Sequence, residues 1–215
     1  MPTQTFFNLP EQKRQAIIDI AVDEFAEHDY KSVSISRIVD RAGIAKGSFY
    51  QYFADKKDLH LYLLQVAGEA KLQMLSQLQP PPARSFFDTY RWMMSAAIQF
   101  EVAHPKLSRL GYRAMYGDLP HRDETYARMK QQGHEYMKST FQQAIDRGEL
   151  DPLVDPDMAA FVFTVISAEM GGYLFDRLGI NPLQTPENRP TWNLEIQPIF
   201  DQLIYILEKG MGPKA

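Results

Sequence analysis

The chain has 215 residues, no cysteine, 45% hydrophobic and 23% charged residues, and a formal net charge of −4 at neutral pH. That balance excludes a disordered polyelectrolyte, a disulfide scaffold and a thiolate metal site, and it weighs against indiscriminate nucleic-acid binding. Without cysteine a cytoplasmic home is the simplest fit, and the first residues show no basic start and no long apolar core of a signal peptide.

Asn8 and Glu11 stand at capping-box spacing ahead of Ile17, Ile20, Ala21 and Phe25, the apolar stripe of a first helix that His28-Asp29-Tyr30 ends. Ser34 can cap a second helix with Ile35, Ile38, Val39 and Ala42 on one face, and Gly43 closes it. A short third helix carries Phe49 and Phe53 four apart. Asp55 and Asp58 repeat the capping spacing and open a long fourth helix through Leu59, Leu63, Val66 and Ala70, which Pro80-Pro81-Pro82 must stop. Helices are then predicted near 84–103, 105–116, 121–148, 155–178 and 193–210, with a loop at 179–190. No alternating strand pattern or internal repeat is present, so the fold class is all-α.

The first three helices span only ~45 residues, too few for a free-standing core, and must brace against the fourth. Helix 2 then presents Ser36, Arg37, Asp40 and Arg41 outward, while Ile44, Phe49 and Phe53 anchor helix 3. Lys46, Gly47, Ser48, Tyr50, Gln51 and Tyr52 remain to face outward, at least in part. Residues 31–60 hold six Lys or Arg against three Asp, a local basic surplus in an acidic chain. Lys can bond guanine and Gln adenine in a major groove, and Gly47 lets the backbone come close. Tyr hydroxyls, Lys56 and the start of the fourth helix can hold phosphates. A solvated helix hairpin fits the same spacing.

The stretch "YKSVSISRIVDRAGIAKGSFYQYFADKKDL" (30–59), with "AIIDIAVDEFAEHDY" (16–30) before it, resembles the N-terminal domain of the tetracycline-repressor family of transcriptional regulators. The resemblance implies a helix-turn-helix DNA-binding domain of residues 1–54, joined through the long helix to an effector-binding and dimerisation domain within residues 55–215. It makes Ser34, Ser36, Lys46, Gly47, Ser48, Tyr50, Gln51, Tyr52 and Lys56 candidate DNA contacts. Two positions depart from the family pattern: Ala45 stands where Ser or Thr usually opens the recognition helix, and Asp29 replaces the usual Gly before the Tyr.

One recognition helix reads few bases, so a homodimer on a palindromic double-stranded operator is expected, with half-sites ~34 Å or a multiple apart. The dimer candidates are the helix near 155–178, where Gly171-Gly172 could admit a close crossing, and the last helix with Ile196, Ile199, Phe200, Leu203, Ile204 and Leu207. Residues 86–175 hold seven of the ten Met and fourteen of the 26 aromatics, a composition that suits a plastic apolar pocket. Phe86, Tyr90, Met93, Phe100, Met115, Tyr116, Met129, Tyr136, Phe163 and Tyr173 are the candidate lining for a small hydrophobic or aromatic effector. The resemblance implies that such an effector shifts the spacing of the two reading heads, as in a repressor released by its ligand. Ordinary core packing would use the same side chains.

Rival readings are a helical-bundle metal-binding enzyme and a DNA-binding protein without an effector. Glu101-x-x-His104 is half of a di-iron carboxylate pattern, with no second half, and His134-Glu135 lacks the following His of a zinc protease motif. No phosphate-binding glycine loop or nucleophile elbow is present, and neither catalysis nor a cofactor is expected. The apolar run Met158–Phe175 carries Glu169 and is flanked by charges, so a helix buried among other helices is expected rather than a membrane span.

Overall fold

A computed structural model describes residues 1–78, 85–179, 181, 183 and 192–211; side chains at 125, 126, 128, 129, 132, 192, 193 and 211 lie outside that description. These residues form helices and no strand. The helices are α1 (Gln4–Phe7), α2 (Glu11–Glu27), α3 (Ile35–Arg41), α4 (Lys46–Tyr52), α5 (Lys56–Gln77), α6 (Phe86–Ala103), α7 (Pro105–Tyr116), α8 (Arg122–Asp146), α9 (Pro156–Leu178) and α10 (Trp192–Met211). The triple-proline stop and most of the 179–190 loop fall outside the described residues.

The N-terminus departs from the sequence expectation. Asn8 does not cap α2; it ends the extra helix α1, its amide bonded to the Gln4 carbonyl. Pro10 occupies the cap position of α2 instead, and no side chain bonds there. Four residues are too few to leave a periodic signature, so α1 was hidden behind a capping pattern that had a second use.

By contact density, Met1–Met74 with Ala103–Arg122 form one compact unit, and Leu75–Val102 with Asp123–Ala215 form a second. The first contains, besides the three expected helices, α1, most of α5 and all of α7. Its core gathers Phe6, Ile17, Ala21, Phe25, Ile38, Phe49, Phe53, Leu59 and Leu63, with Leu110 from α7 fully buried among them. Polar ties hold α7 to α2. Lys106 Nζ lies 2.6 Å from Asp23, and Arg113 donates to the carbonyls of Ala26 (2.8 Å) and Glu27 (3.2 Å) and to the Asp29 carboxylate (2.5 Å). A guanidinium on the last carbonyls of α2 satisfies groups that the helix leaves unpaired and meets its negative dipole end. Asp29, the family departure, sits in a turn whose Ser32 and Val33 amides both bond its carbonyl, and no described non-glycine residue takes a positive φ.

In the second unit Phe86, Phe87, Tyr90, Phe141, Phe163, Ile204 and Leu207 form the core. Phe141 and Phe163 meet edge to face at 4.7 Å, as do Tyr90 and Phe163 at 4.8 Å. Ile196, Phe200, Ile204 and Leu207, expected at a dimer contact, are buried inside this unit instead. They occupy the inner face of α10, while Leu194, Tyr205 and Ile206 stay exposed on it. The apolar run of α9 has a core face and an exposed face: Ala159, Ala160, Phe163, Thr164, Leu174 and Phe175 are buried, whereas Met158, Phe161 and Tyr173 are exposed, and 28% of its most apolar stretch is buried within the chain. By length and composition α9 could cross a membrane. Capped ends are what the structure adds, because Asp155 accepts from the Met158 amide at 2.7 Å and Gly179 closes the helix in the left-handed conformation.

Candidate nucleic-acid interface

The hairpin of α3 and α4 is built by local rules. Ser34 has extended backbone and its Oγ accepts from the Arg37 amide at 3.3 Å, which starts α3. Gly43, at φ +62°, ends α3: its amide bonds the Asp40 carbonyl and the Ile44 amide bonds that of Val39, the paired bonds of a Schellman turn. At Ala45 the backbone has cap geometry (φ −69°, ψ 145°) but no side-chain bond forms, as its methyl group dictates. Between α4 and α5, Asp55 Oδ1 accepts from the Asp58 amide at 2.7 Å, and Asp58 Oδ2 accepts from the Ala54 amide at 3.1 Å. The first bond is the cap that the spacing of the two Asp predicts, and the second reaches back one residue past the cap position.

Most of the candidate contacts are displayed together. Ser36, Lys46, Gly47, Tyr50 and Gln51 are exposed, and Ser34 and Ser48 are half-buried, with Phe49 and Phe53 anchored underneath. Two expectations need correction. Tyr52 does not face outward: it is 6% exposed, its ring 5.9 Å from that of Phe6, because α1 covers that side of α4. Lys56 is not a free phosphate ligand. Its ammonium donates to the carbonyls of Tyr30 (2.7 Å), Val33 (3.2 Å) and Lys31 (3.4 Å) and lies over the Tyr30 ring, and burial lowers its pKa.

The basic surplus is also largely answered from within. Glu24, 2% exposed, accepts from Arg37 Nε (2.9 Å) and Nη2 (2.5 Å) and from the Ser34 amide (2.9 Å). Burial alone would raise the Glu24 pKa, but Arg37 and that amide outweigh it and hold the carboxylate ionised. Arg41 pairs with Asp23 (2.9 Å) and Lys31 with Asp118 (2.5 Å). Lys46, by contrast, makes no ion pair or hydrogen bond among the described residues, and it stands at the exposed start of α4. Sequence spacing did not mark Glu24 as buried, because its partner Arg37 lies thirteen residues away on another helix.

The expected effector residues differ in burial. Phe86, Tyr90 and Phe163 meet in the core of the second unit and Phe100 is buried, whereas Tyr136 and Tyr173 are exposed. Met93 is half-buried, Met115 and Tyr116 belong to α7 in the first unit, and the Met129 side chain lies outside the described residues. Three of the ten, Phe86, Tyr90 and Phe163, are in ring contact with one another; helical spacing cannot tell which neighbouring helix a side chain meets. Among the described residues no group of three or more His, Asp or Glu could hold a metal ion.

Comparison with known proteins agrees with the helix-turn-helix geometry. The family model described as bacterial regulatory proteins, tetR family, matches residues 17–63, and that of the tetracyclin repressor-like C-terminal domain matches residues 84–212. A solved TetR family transcriptional regulator from Chloroflexus aurantiacus is 45% identical, with each chain covered in full and a TM-score of 0.68. An HTH-type transcriptional regulator of Staphylococcus aureus is 28% identical over 96 residues, 45% of this chain and 51% of its own length, so the match spans about half of that relative. A FadR regulator from Bacillus subtilis, solved in complex with stearoyl-CoA, shares the fold at 16% identity and a TM-score of 0.63, over 88% of this chain and 96% of its own. With a family model on each part of the molecule, the chain belongs to the tetR family of bacterial transcriptional regulators.

Proposed function

We propose that the chain is a cytoplasmic, homodimeric repressor that binds a palindromic operator and releases it when a small hydrophobic effector binds in the second unit. The observation that carries the DNA part is the outer face of α4, where Lys46, Gly47, Tyr50 and Gln51 stand exposed over a buried Phe49 and Phe53. That side chain set can bond guanine and adenine edges in a major groove while the backbone comes close at Gly47. The exposed Met158, Phe161 and Tyr173 of α9 and Leu194, Tyr205 and Ile206 of α10 support a dimer, since a second copy would cover them. The solved relative that holds stearoyl-CoA supports an acyl or comparably apolar effector.

Selection of bound duplexes from a random pool tests this reading. Enrichment of an inverted repeat is expected, and acyl-CoA compounds of graded chain length should then lower affinity for it. A pool that stays random after several rounds would overturn the operator claim.

A further inference from the structure

The N-terminal segment is tied at both of its ends to different helices of the reading domain. Arg14 on α2 donates to the carbonyls of Phe7 (3.0 Å) and Leu9 (3.4 Å). At the other end, the Thr3 amide donates to the Tyr52 carbonyl at 2.9 Å, and Thr3 Oγ1 donates to the Gln51 carbonyl at 2.6 Å. Those two carbonyls are the last of α4, which no later turn of the helix can satisfy. Between the ties, Phe6 is fully buried, with its ring 4.8 Å from Phe53, 5.6 Å from Tyr62 and 5.9 Å from Tyr52.

α4 needs such support. It is seven residues long and has no side-chain bond at its N-cap. Helices shorter than about 12 residues are marginal in water and depend on tertiary contacts. Its underside is held by Phe49 and Phe53, but its last turn carries Tyr50 and Gln51 at the exposed face and ends on Thr3.

We infer that Thr3–Leu9 is a clamp that fixes the last turn of α4, with Thr3 as a positioning residue that sets base preference without touching DNA. The inference rests on the DNA-reading function proposed above. A frayed last turn would have to be ordered at each specific encounter, which weakens base-specific binding. Contacts to phosphates by flexible cations tolerate fraying, so binding to random duplex should change little.

Thr3→Pro tests the clamp, because Thr3 already has φ −75°, a value proline adopts, and the substitution removes both donors. Thr3→Ser keeps both donors. The ratio of affinities for the wild-type-selected duplex over random duplex should fall roughly five- to tenfold in Thr3→Pro, the size of two partly exposed hydrogen bonds, and recover in Thr3→Ser. Amide exchange should quicken over residues 46–53 and not over α2. An unchanged ratio, or an equal loss on both duplexes, would overturn the inference. If the wild-type protein selects no duplex, the DNA reading fails, and exchange over α4 still decides whether Thr3 clamps that helix: unchanged exchange in Thr3→Pro overturns the clamp.

Discussion

The Lys56 ammonium donates to the Tyr30 carbonyl at 2.7 Å and lies 4.7 Å from the centre of the same residue's ring. It thereby pins the start of α5 to the turn between α2 and α3. Its role follows from that tie. Lys56→Met should lower stability by about 1–2 kcal/mol, since the ammonium's bonds to carbonyls are charge-assisted but partly solvated. The slope of log affinity for DNA against log salt should stay as in the wild type. Denaturation curves and salt titrations check both, and a slope smaller by about one would return Lys56 to the phosphate ligands.

Lys46 should behave in the opposite way. As an exposed cation without an internal partner among the described residues, Lys46→Ala should leave the thermal midpoint in place. It should relax preference at one base position of the selected duplex, by about 1–3 kcal/mol if Lys46 meets a guanine. Binding to a panel of single-base variants measures this, and a uniform loss across the panel would make Lys46 a phosphate contact.

Ala45 offers a gain. Its backbone already has cap geometry, so Ala45→Ser should add the missing bond to α4 and stabilise the fold by about 1 kcal/mol. A thermal midpoint no higher than that of the wild type would show that the terminus of α4 is satisfied in another way.

Glu24 is buried and ionised, and its pKa in the folded chain lies below the ordinary 4.5. A depressed carboxylate contributes its full stability above the unfolded value and loses it as pH falls through the folded one. Glu24→Gln should therefore be less stable by about 1–3 kcal/mol at neutral pH. The difference should shrink below about pH 4.5. Urea midpoints across an acid series give both quantities.

His60 works on the same side of the pH scale. It is 2% exposed, its Nδ1 is 3.2 Å from His121 Nε2, and Phe25 and Tyr30 pack against its ring. His28, Asp29, Arg113 and Asp118 line the same hollow. Burial, and secondarily repulsion from His121, pushes its pKa down to about 3. The unfolded chain takes up a proton near 6.5 and the folded chain does not, so stability is full above 6.5 and declines as pH falls. The slope is about 1.4 kcal/mol per pH unit for one such group. His60→Gln should remove that slope between pH 6.5 and 5, and an unaltered slope there would place the proton uptake elsewhere.

Local rules made much of the molecule legible. The Asp55–Asp58 pair, Gly43 and Ser34 act within five residues of themselves, and each ends or starts a helix as spacing predicts. The face of α4 was legible for the same reason, since Phe49 and Phe53 lie one turn apart and leave Lys46, Gly47, Tyr50 and Gln51 on the outside. Ala45, the departure from the family's Ser or Thr, leaves α4 without a side-chain bond at its cap.

What one sequence could not show is which helix comes to lie against which. Tyr52 turned inward because α1, four residues long, packs on it, and Lys56 turned inward because three carbonyls of a distant turn converge on it. Glu24 meets Arg37 across two helices, and α7 reaches α2 through Arg113 and Lys106. The apolar stripe of α10 became core, and its other face kept Tyr205 and Ile206 exposed, because an amphipathic period marks a buried side without naming what buries it. Periodicity and capping are properties of a single helix, so the sequence determined the longer helices and the exposed face of α4. Burial of a lysine, a glutamate or a tyrosine depends on partners far along the chain, so only the tertiary structure decided them.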